Sequence, residues 1–355
     1  MRKELLRWLR CPADLGELSL EADTAGEDGH ILEGKLLCAQ CAQSYKLTGG
    51  VPHLLPPQRL QIEGDDLAKL QNQTVERFGF EWRYFQDWGW LPDYPDVPEA
   101  ELKFFGGLMK HTEGAFWSKS LFSREDLQTG NLVLDAGCGN GRFTNQAAQT
   151  GAEVIGIDLG WGVFSAFEHT RALPNVHIVR GDLFRLPFAD KTFDRIFCIG
   201  VLQHTGNAGV AFDSLVRVLQ EGGLIVAHAY GRGLWTYELL DKILRSVTIR
   251  LPISAQLAFS RWTAGLARWL RRSNEKLYWR IFQHVTLLPT TPHMYDWWSA
   301  PIATHHTQNE VQGWLAKNRL EILRTNPPLD DMAAERARRR GHGAITFLGR
   351  RPAAG

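Results

Sequence analysis

Val133 to Arg142 read V-L-D-A-G-C-G-N-G-R, and a second run, V-I-G-I-D, follows from Val154 to Asp158. The first is an apolar strand that ends on Asp135 and turns through Gly137, Gly139 and Gly141 into a helix. Such a turn needs glycine, because a Cβ would block close approach of a ligand to the backbone or forbid the positive φ of the turn. The second strand, Glu153 to Asp158, stops on a carboxylate placed to accept hydrogen bonds from both hydroxyls of a ribose. Together the two runs predict an adenosine site. The main rival is a dinucleotide fold, which asks for G-x-G-x-x-G with a third glycine packing helix on strand and a helix N-terminus facing a pyrophosphate. Arg142 occupies that third position, so the spacing here is G-x-G-x-G. The acidic Asp135 ahead of the turn suits a ligand that carries an ammonium rather than a phosphate.

Outward from this pair, strands and helices alternate. The pattern predicts a strand to Asp135, a helix to about Thr150, a strand to Asp158 and a helix through Phe167. Strands at 176–180 and 194–200, a helix at 208–219 and a strand at 224–230 follow. Alternation at this spacing implies parallel strands with crossover helices on both faces, and a ligand over the carboxyl ends of the strands. Three further motifs keep the order: Asp182 in R-G-D-L, L-P-F-A-D-K-T-F-D-R-I-F from Leu186 to Phe197, and V-R-V-L-Q-E-G-G-L-I-V from Val216 to Val226. With these in register the chain resembles the class I S-adenosylmethionine (SAM) dependent methyltransferases. The resemblance implies an α/β fold with a doubly wound, seven-stranded, mostly parallel Rossmann-like sheet, completed by late strands at 320–324 and 344–349. It also implies that Asp182 binds the adenine amino group beside the Leu183 backbone. Asp135, Gly137, Gly139, Gly141, Asp158, Leu159 and Gly200 make up the rest of the implied SAM set.

Composition narrows the class. With 355 residues, 44% of them hydrophobic, the chain can bury a sizeable core in two or three domains. Forty Lys and Arg against 39 Asp and Glu leave a net charge of +1, so nucleic acid is not the expected partner. The N-terminus, M-R-K-E-L-L-R-W-L-R, is broken by charge, and no later apolar run approaches the length of a membrane span. A cytoplasmic location is expected. Cys138 in the glycine loop and Cys198 in an apolar strand read as small buried thiols rather than a disulfide framework.

The remaining cysteines cluster early. Cys11-Pro12-Ala13-Asp14 is followed by Cys38-Ala39-Gln40-Cys41 and then by G-G-V-P-H-L-L from Gly49 to Leu55. Two such knuckles on facing hairpins are how a structural zinc ribbon presents four ligands. The surrounding text resembles the small zinc-ribbon family that activates methyltransferases as a partner subunit, here fused over roughly residues 1–57. Asp14 stands where that family has its second cysteine. A carboxylate oxygen can ligate zinc at similar distance, and His30 or His53 can substitute, but losing a thiolate weakens the site. A ribbon that keeps its fold without metal is the other reading.

Residues 58–115 read as a linker that becomes aromatic, with Phe78, Trp82 and Phe85 at helical spacing before Pro92, Pro95 and Pro98 break the pattern. That face either packs on the sheet or closes over the cofactor pocket. The core is expected to occupy 116–231 and to resume at 307–355, where Thr307 and Glu310 form a capping box with Val311 and Trp314 on the buried side. Between them, 232–306 is an insertion where substrate choice should reside. Phe259, Trp262, Leu266, Trp269 and Leu270 make an apolar helical stripe flanked by Arg261, Arg268, Arg271, Arg272, Lys276 and Arg280. Such a helix is a lid on its own domain or, through 257–280, a membrane-surface contact. Trp297, Trp298, His305 and His306 are candidate walls of the acceptor pocket, and His228 reads as core.

Methyl transfer from a sulfonium is an in-line displacement, so alignment in a dry pocket supplies much of the rate, up to roughly 7 to 11 kcal/mol. If the acceptor is a hydroxyl a general base is needed, and His204, in G-V-L-Q-H-T, is the first candidate and Tyr230 the second. The reading is a SAM-dependent methyltransferase of a small glycosylated, lipid or natural-product acceptor. An RNA base methyltransferase and a non-catalytic SAM-binding subunit are the alternatives.

Overall fold

The computed structural model describes residues 1–56, 65–90, 108–282, 289–331, 334–335 and 343–353. Four antiparallel strands open the chain: β1 (Leu18–Ala25), β2 (Ile31–Cys38), β3 (Ser44–Thr48) and β4 (Val51–Leu54). Helices α1 (Asp65–Tyr84) and α2 (Leu108–Ser120) lead into the alternating part. There β5 (Leu132–Ala136), α3 (Arg142–Ala148), β6 (Glu153–Asp158), α4 (Val163–Thr170), β7 (Val176–Gly181), β8 (Phe193–Ile199), α5 (Ala208–Val218) and β9 (Leu219–Tyr230) fall where the sequence pattern put them. The insertion folds as α6 (Trp235–Thr248), α7 (Ile253–Ser273), α8 (Glu275–Phe282) and α9 (Thr291–Ser299). Helix α10 (Gln308–Lys317) and strands β10 (Glu321–Asn326) and β11 (Ala344–Arg350) close the fold. The Thr307–Glu310 capping box that starts α10 is formed, and Val311 is buried behind it.

The central strands are near-continuous apolar runs because both of their faces are covered. Side chains alternate across the sheet, so Val133 packs on one face with Phe116, Phe143 and Phe197, while Leu134 packs on the other with Ile196, Phe212 and Leu215. A third apolar cluster, with Tyr278, Met294, Trp297 and Trp298, holds the insertion helices together.

The expected seven-stranded, mostly parallel sheet needs correcting. Among the described residues the strands run β1-β2-β3-β4-β7-β6-β5-β8-β9-β11-β10, eleven in a single sheet. Of the ten neighbour pairings, five are parallel and five antiparallel, so the sheet is mixed. The seven expected strands are present as β5 to β11. The other four join because β7 offers an open edge whose unpaired backbone groups need partners: β4 adds to it in parallel, pairing His53 with Arg180 and Leu54 with Gly181. The N-terminal unit also shares a core with the sheet, since Leu5, Leu9, Leu36 and Leu47 lie in one cluster with Leu186 and Phe188.

Candidate active site

The carboxyl ends of β5, β6, β7 and β8 converge on one cavity of about 220 Å³. Gly137, Gly139, Asp158, Leu159, Asp182, Leu183 and Gly200 line it, and so do His204 and Tyr230. Gly137 has φ +90°, and a Cβ there would lie 2.2 Å from Val201 Cγ2. Gly139 has φ +55°, and a Cβ on it would meet the Trp82 ring at 3.0 Å. At both positions a side chain would be strained by the positive φ and crowded by its neighbour. Asp158 Oδ2 accepts from the Gly139 N–H at 3.0 Å and Oδ1 from the Gly160 N–H at 2.7 Å. These bonds leave half of the lone-pair sites of the carboxylate for a ligand. Burial raises the Asp158 pKa, against the pull of the Gly160 and Gly139 amides. Asp182 Oδ1 accepts from the Phe184 N–H at 2.9 Å, which orients its carboxylate at the start of a single 3-10 turn.

Two residues of the expected set stand behind the cavity and not on it. Asp135 is buried beneath the loop, where it accepts from the Thr144 hydroxyl at 2.6 Å, and burial pushes its pKa up to about 7. Gly141 ends the turn at φ +83° as the N-cap of α3, against Ala166.

On the opposite wall His204 donates its Nδ1–H to the Ile302 carbonyl at 2.6 Å, because a carbonyl can only accept. That contact leaves the lone pair on Nε2. Burial, opposed by the Ile302 contact, lowers the His204 pKa to about 3, so the ring is neutral. It meets Phe78 at 4.8 Å and Tyr230 at 5.5 Å between ring centroids, both edge-on. Burial raises the Tyr230 pKa well above the usual phenol value. Of the aromatic face on α1, Phe78 and Trp82 line the cavity, while Phe85 packs against Tyr295.

Residues 134–227 match a protein family described as a methyltransferase domain. Demethylmenaquinone methyltransferase of Corynebacterium kroppenstedtii is 35% identical over 107 residues, 30% of this chain and 45% of that protein. The enzyme of the same name from Thermobifida fusca is 32% identical over 114 residues, 31% of this chain and 48% of that one. The chain therefore spans about half the length of the curated relatives it matches. Among solved structures, geranyl diphosphate C-methyltransferase from Streptomyces coelicolor A3(2), in complex with Mg2+, geranyl diphosphate and S-adenosyl-L-homocysteine, aligns at 14% identity and a TM-score of 0.46. The alignment covers 79% of this chain and 97% of that one.

Beyond the glycine loop, the site departs from the sequence reading at several residues. His228 is buried, as expected of a core residue, and it also lines the cavity. Trp297 and Trp298 do not: they are buried in the third cluster, Trp297 stacked on the cavity-lining Tyr230 at 5.8 Å between ring centroids. His305 stacks on Tyr230 from behind, and His306 meets the Thr304 hydroxyl at 2.9 Å. The residue of α9 that reaches the cavity is Asp296, joined by Lys119 from α2 and Arg142 from α3. Arg142 lies over the Trp82, Trp88 and Phe143 rings at 5.3, 4.6 and 4.8 Å. Burial beside Arg142 pulls the Lys119 ammonium down to about 8, and burial raises Asp296. Glu81 on α1 is fully buried with no hydrogen-bond partner on either oxygen among the described residues, and burial, with Asp296 near, raises its pKa well above the carboxylate range. The run Y-D-W-W around Asp296 and F-E-W around Glu81 carry the signal that was missed, a lone acid inside an aromatic run.

Away from the cavity, Cys11, Asp14, Cys38 and Cys41 bring their ligand atoms within 4.8 Å of one another. Cys11 and Cys41 sulfurs are 3.6 Å apart, and Cys38 Sγ lies 3.5 Å from Asp14 Oδ1. Such separations suit tetrahedral zinc with bonds of about 2.0 to 2.3 Å. The Gly16 amide, followed by the Cys11 thiol, holds Asp14 down at about 2. His30 instead pairs with Asp28, and His53 with the Thr48 hydroxyl and Arg180, so neither stands in this group. Among the described residues no helix is long and apolar enough to cross a membrane.

Proposed function

We propose that the protein transfers a methyl group from SAM to a small-molecule acceptor with an apolar, lipid-like body. The observation that carries the reading is the joining, in one cavity, of the glycine loop and two aspartates on one side with His204, Tyr230 and aromatic rings on the other. The likeness of residues 134–227 to a methyltransferase domain supports the reaction, and the partial likeness to demethylmenaquinone methyltransferases supports the acceptor class.

SAM, when bound, supplies an electrophilic methyl on a sulfonium. Gly137 and Gly139 would admit it against bare backbone, Asp158 would accept from its ribose hydroxyls, and Asp182 would face its adenine. Asp135 acts through the loop, tying β5 to α3 by its bond to Thr144. Phe78 and Trp82 exclude water and hold the acceptor in line, where positioning contributes most. The protonated Tyr230 phenol donates to the acceptor, and His204 Nε2 accepts from its hydroxyl. Because the attacking oxygen becomes strongly acidic only as its new bond to carbon forms, a weak base suffices to take the proton at that stage. In the N-terminal unit Cys11, Asp14, Cys38 and Cys41 would hold a structural zinc.

The test is calorimetric titration with SAM and its demethylated product, followed by transfer of labelled methyl to quinol and prenyl acceptors. Binding with transfer to an apolar acceptor is expected. Binding without transfer to any fraction of a cell extract would leave a cofactor-binding subunit, and no binding at millimolar ligand would end the reading.

A further inference from the structure

Helix α6 carries its amphipathicity the wrong way round for a helix that merely covers a domain. Its outward face presents Trp235, Leu239, Leu240, Ile243 and Val247, which are 75, 50, 54, 55 and 58% exposed. Its inward face buries an ion pair instead: Arg245 Nε meets Asp241 Oδ2 at 2.8 Å, and Arg245 Nη1 donates to the Ala300 carbonyl at 3.0 Å. On α7 the stripe read from the sequence divides. Leu270 is buried and Phe259 and Leu266 are packed inward, while Trp262 and Trp269, offset about 60° around the helix, are 63 and 62% exposed. Leu277 and Ile281 extend the same exposure onto α8. Of the fifteen large hydrophobic side chains exposed among the described residues, ten lie between residues 234 and 281.

Charge is concentrated in the same segment. Residues 232–282 hold ten Arg and Lys and three Asp and Glu, a surplus of seven positive charges in a chain whose total is +1. The rest of the chain is therefore net negative by six. Exposed cations, among them Lys242, Arg250, Arg261, Arg272 and Lys276, border the apolar face. Exposed Leu, Ile and Trp within a basic fringe fit an interface with acidic headgroups above acyl chains, where Trp is favoured and each nearby cation adds attraction. A protein partner would need a complementary acidic surface, and nothing in this segment specifies one.

We propose that α6, α7 and α8 form a docking face for an anionic lipid surface, with the outward face of α6 inserted among the headgroups. Helix α9 packs against both α6 and α7 and delivers Asp296 to the cavity, so the docked helices back the acceptor wall. The inference does not rest on the methyl-transfer reading, because lipid binding is measured without SAM.

The experiment is flotation of the full chain with vesicles of phosphatidylcholine alone or of equal parts phosphatidylcholine and phosphatidylglycerol, at low and high salt. Binding to the anionic vesicles at least about tenfold stronger than to the neutral ones, and weakened by salt, is expected. The double variant Leu239→Glu with Ile243→Glu should stay unbound while keeping the thermal transition of the parent. Should that variant misfold, Arg272→Glu with Lys276→Glu, at exposed positions, should lose the anionic preference. The proposal is overturned by absence of vesicle binding, by binding that the variants leave intact, or by a self-associating chain that the α6 variant makes monomeric and that ignores vesicles.

Discussion

Gly137→Ala is the substitution whose cost the structure defines most closely. Two penalties apply. At φ +90° an alanine pays for a backbone conformation that L residues avoid, about 1–2 kcal/mol. Its Cβ would also stand 2.2 Å from Val201 Cγ2 and 2.8 Å from Cγ1, so Val201 or the loop must move, and overpacking of this kind costs about 1–3 kcal/mol. A control separates the terms, since Gly222 has φ +73° with nothing within 4 Å of a Cβ. Gly222→Ala should therefore show the conformational penalty alone, and Gly137→Ala should exceed it by about 1–3 kcal/mol in urea unfolding. Val201→Ala removes the methyl groups in the way. In a double-mutant cycle it should cost less beside Ala at position 137 than beside the native glycine, with a coupling of about 1–3 kcal/mol. Calorimetry on the same proteins should show SAM affinity falling in Gly137→Ala and partly restored in the double variant. Equal costs at positions 137 and 222, or no coupling to Val201, would refute the idea that this glycine is fixed by space as well as by φ.

Three other outcomes are expected. Asp158→Asn should weaken SAM binding by about 1.5–3 kcal/mol, the loss of a hydrogen bond to a charged group; unchanged affinity by calorimetry would remove Asp158 from the cofactor side. His204 has a folded pKa of about 3, below its unfolded value near 6.5, so the unfolded chain takes the proton first; its contribution to stability is whole above pH 6.5 and lost on acidification, by about 1–2 kcal/mol at pH 5. His204→Gln should flatten that part of the unfolding pH profile and lower turnover without changing SAM affinity, and an unaltered slope would show that the ring titrates freely. Metal analysis of protein purified without chelator should give about one zinc per chain, Asp14→Cys should retain it longer against chelator and Cys38→Ser should lose it; a blank for the parent protein would mean a ribbon that folds without metal.

What was legible in the sequence was local. The glycine turn, Asp158 and Asp182 belong to strand ends a few residues long, and their spacing alone decides where they emerge, so their convergence on one cavity was readable from the sequence. The eleven-stranded sheet was not, because a four-residue strand at Val51–Leu54 carries no signal for which edge it will join. Its pairing with β7 depends on that edge being open, a property of the finished sheet.

The other side of the cavity shows the same limit in a sharper form. Trp82, Lys119 and Asp296 meet across more than two hundred residues of chain, and no periodicity links them. Chemistry still left a trace. Burying an ionisable side chain among aromatic rings is costly unless a partner or a proton compensates it, so Glu81 between Phe80 and Trp82, and Asp296 between Tyr295 and Trp297, each break a run that would be more stable without them. The reverse anomaly marks α6, which exposes Leu239, Leu240 and Ile243 and buries Arg245. In each case the informative residue is the one whose polarity contradicts its surroundings: carboxylates set among aromatic rings at Glu81 and Asp296, and apolar side chains turned to solvent on α6.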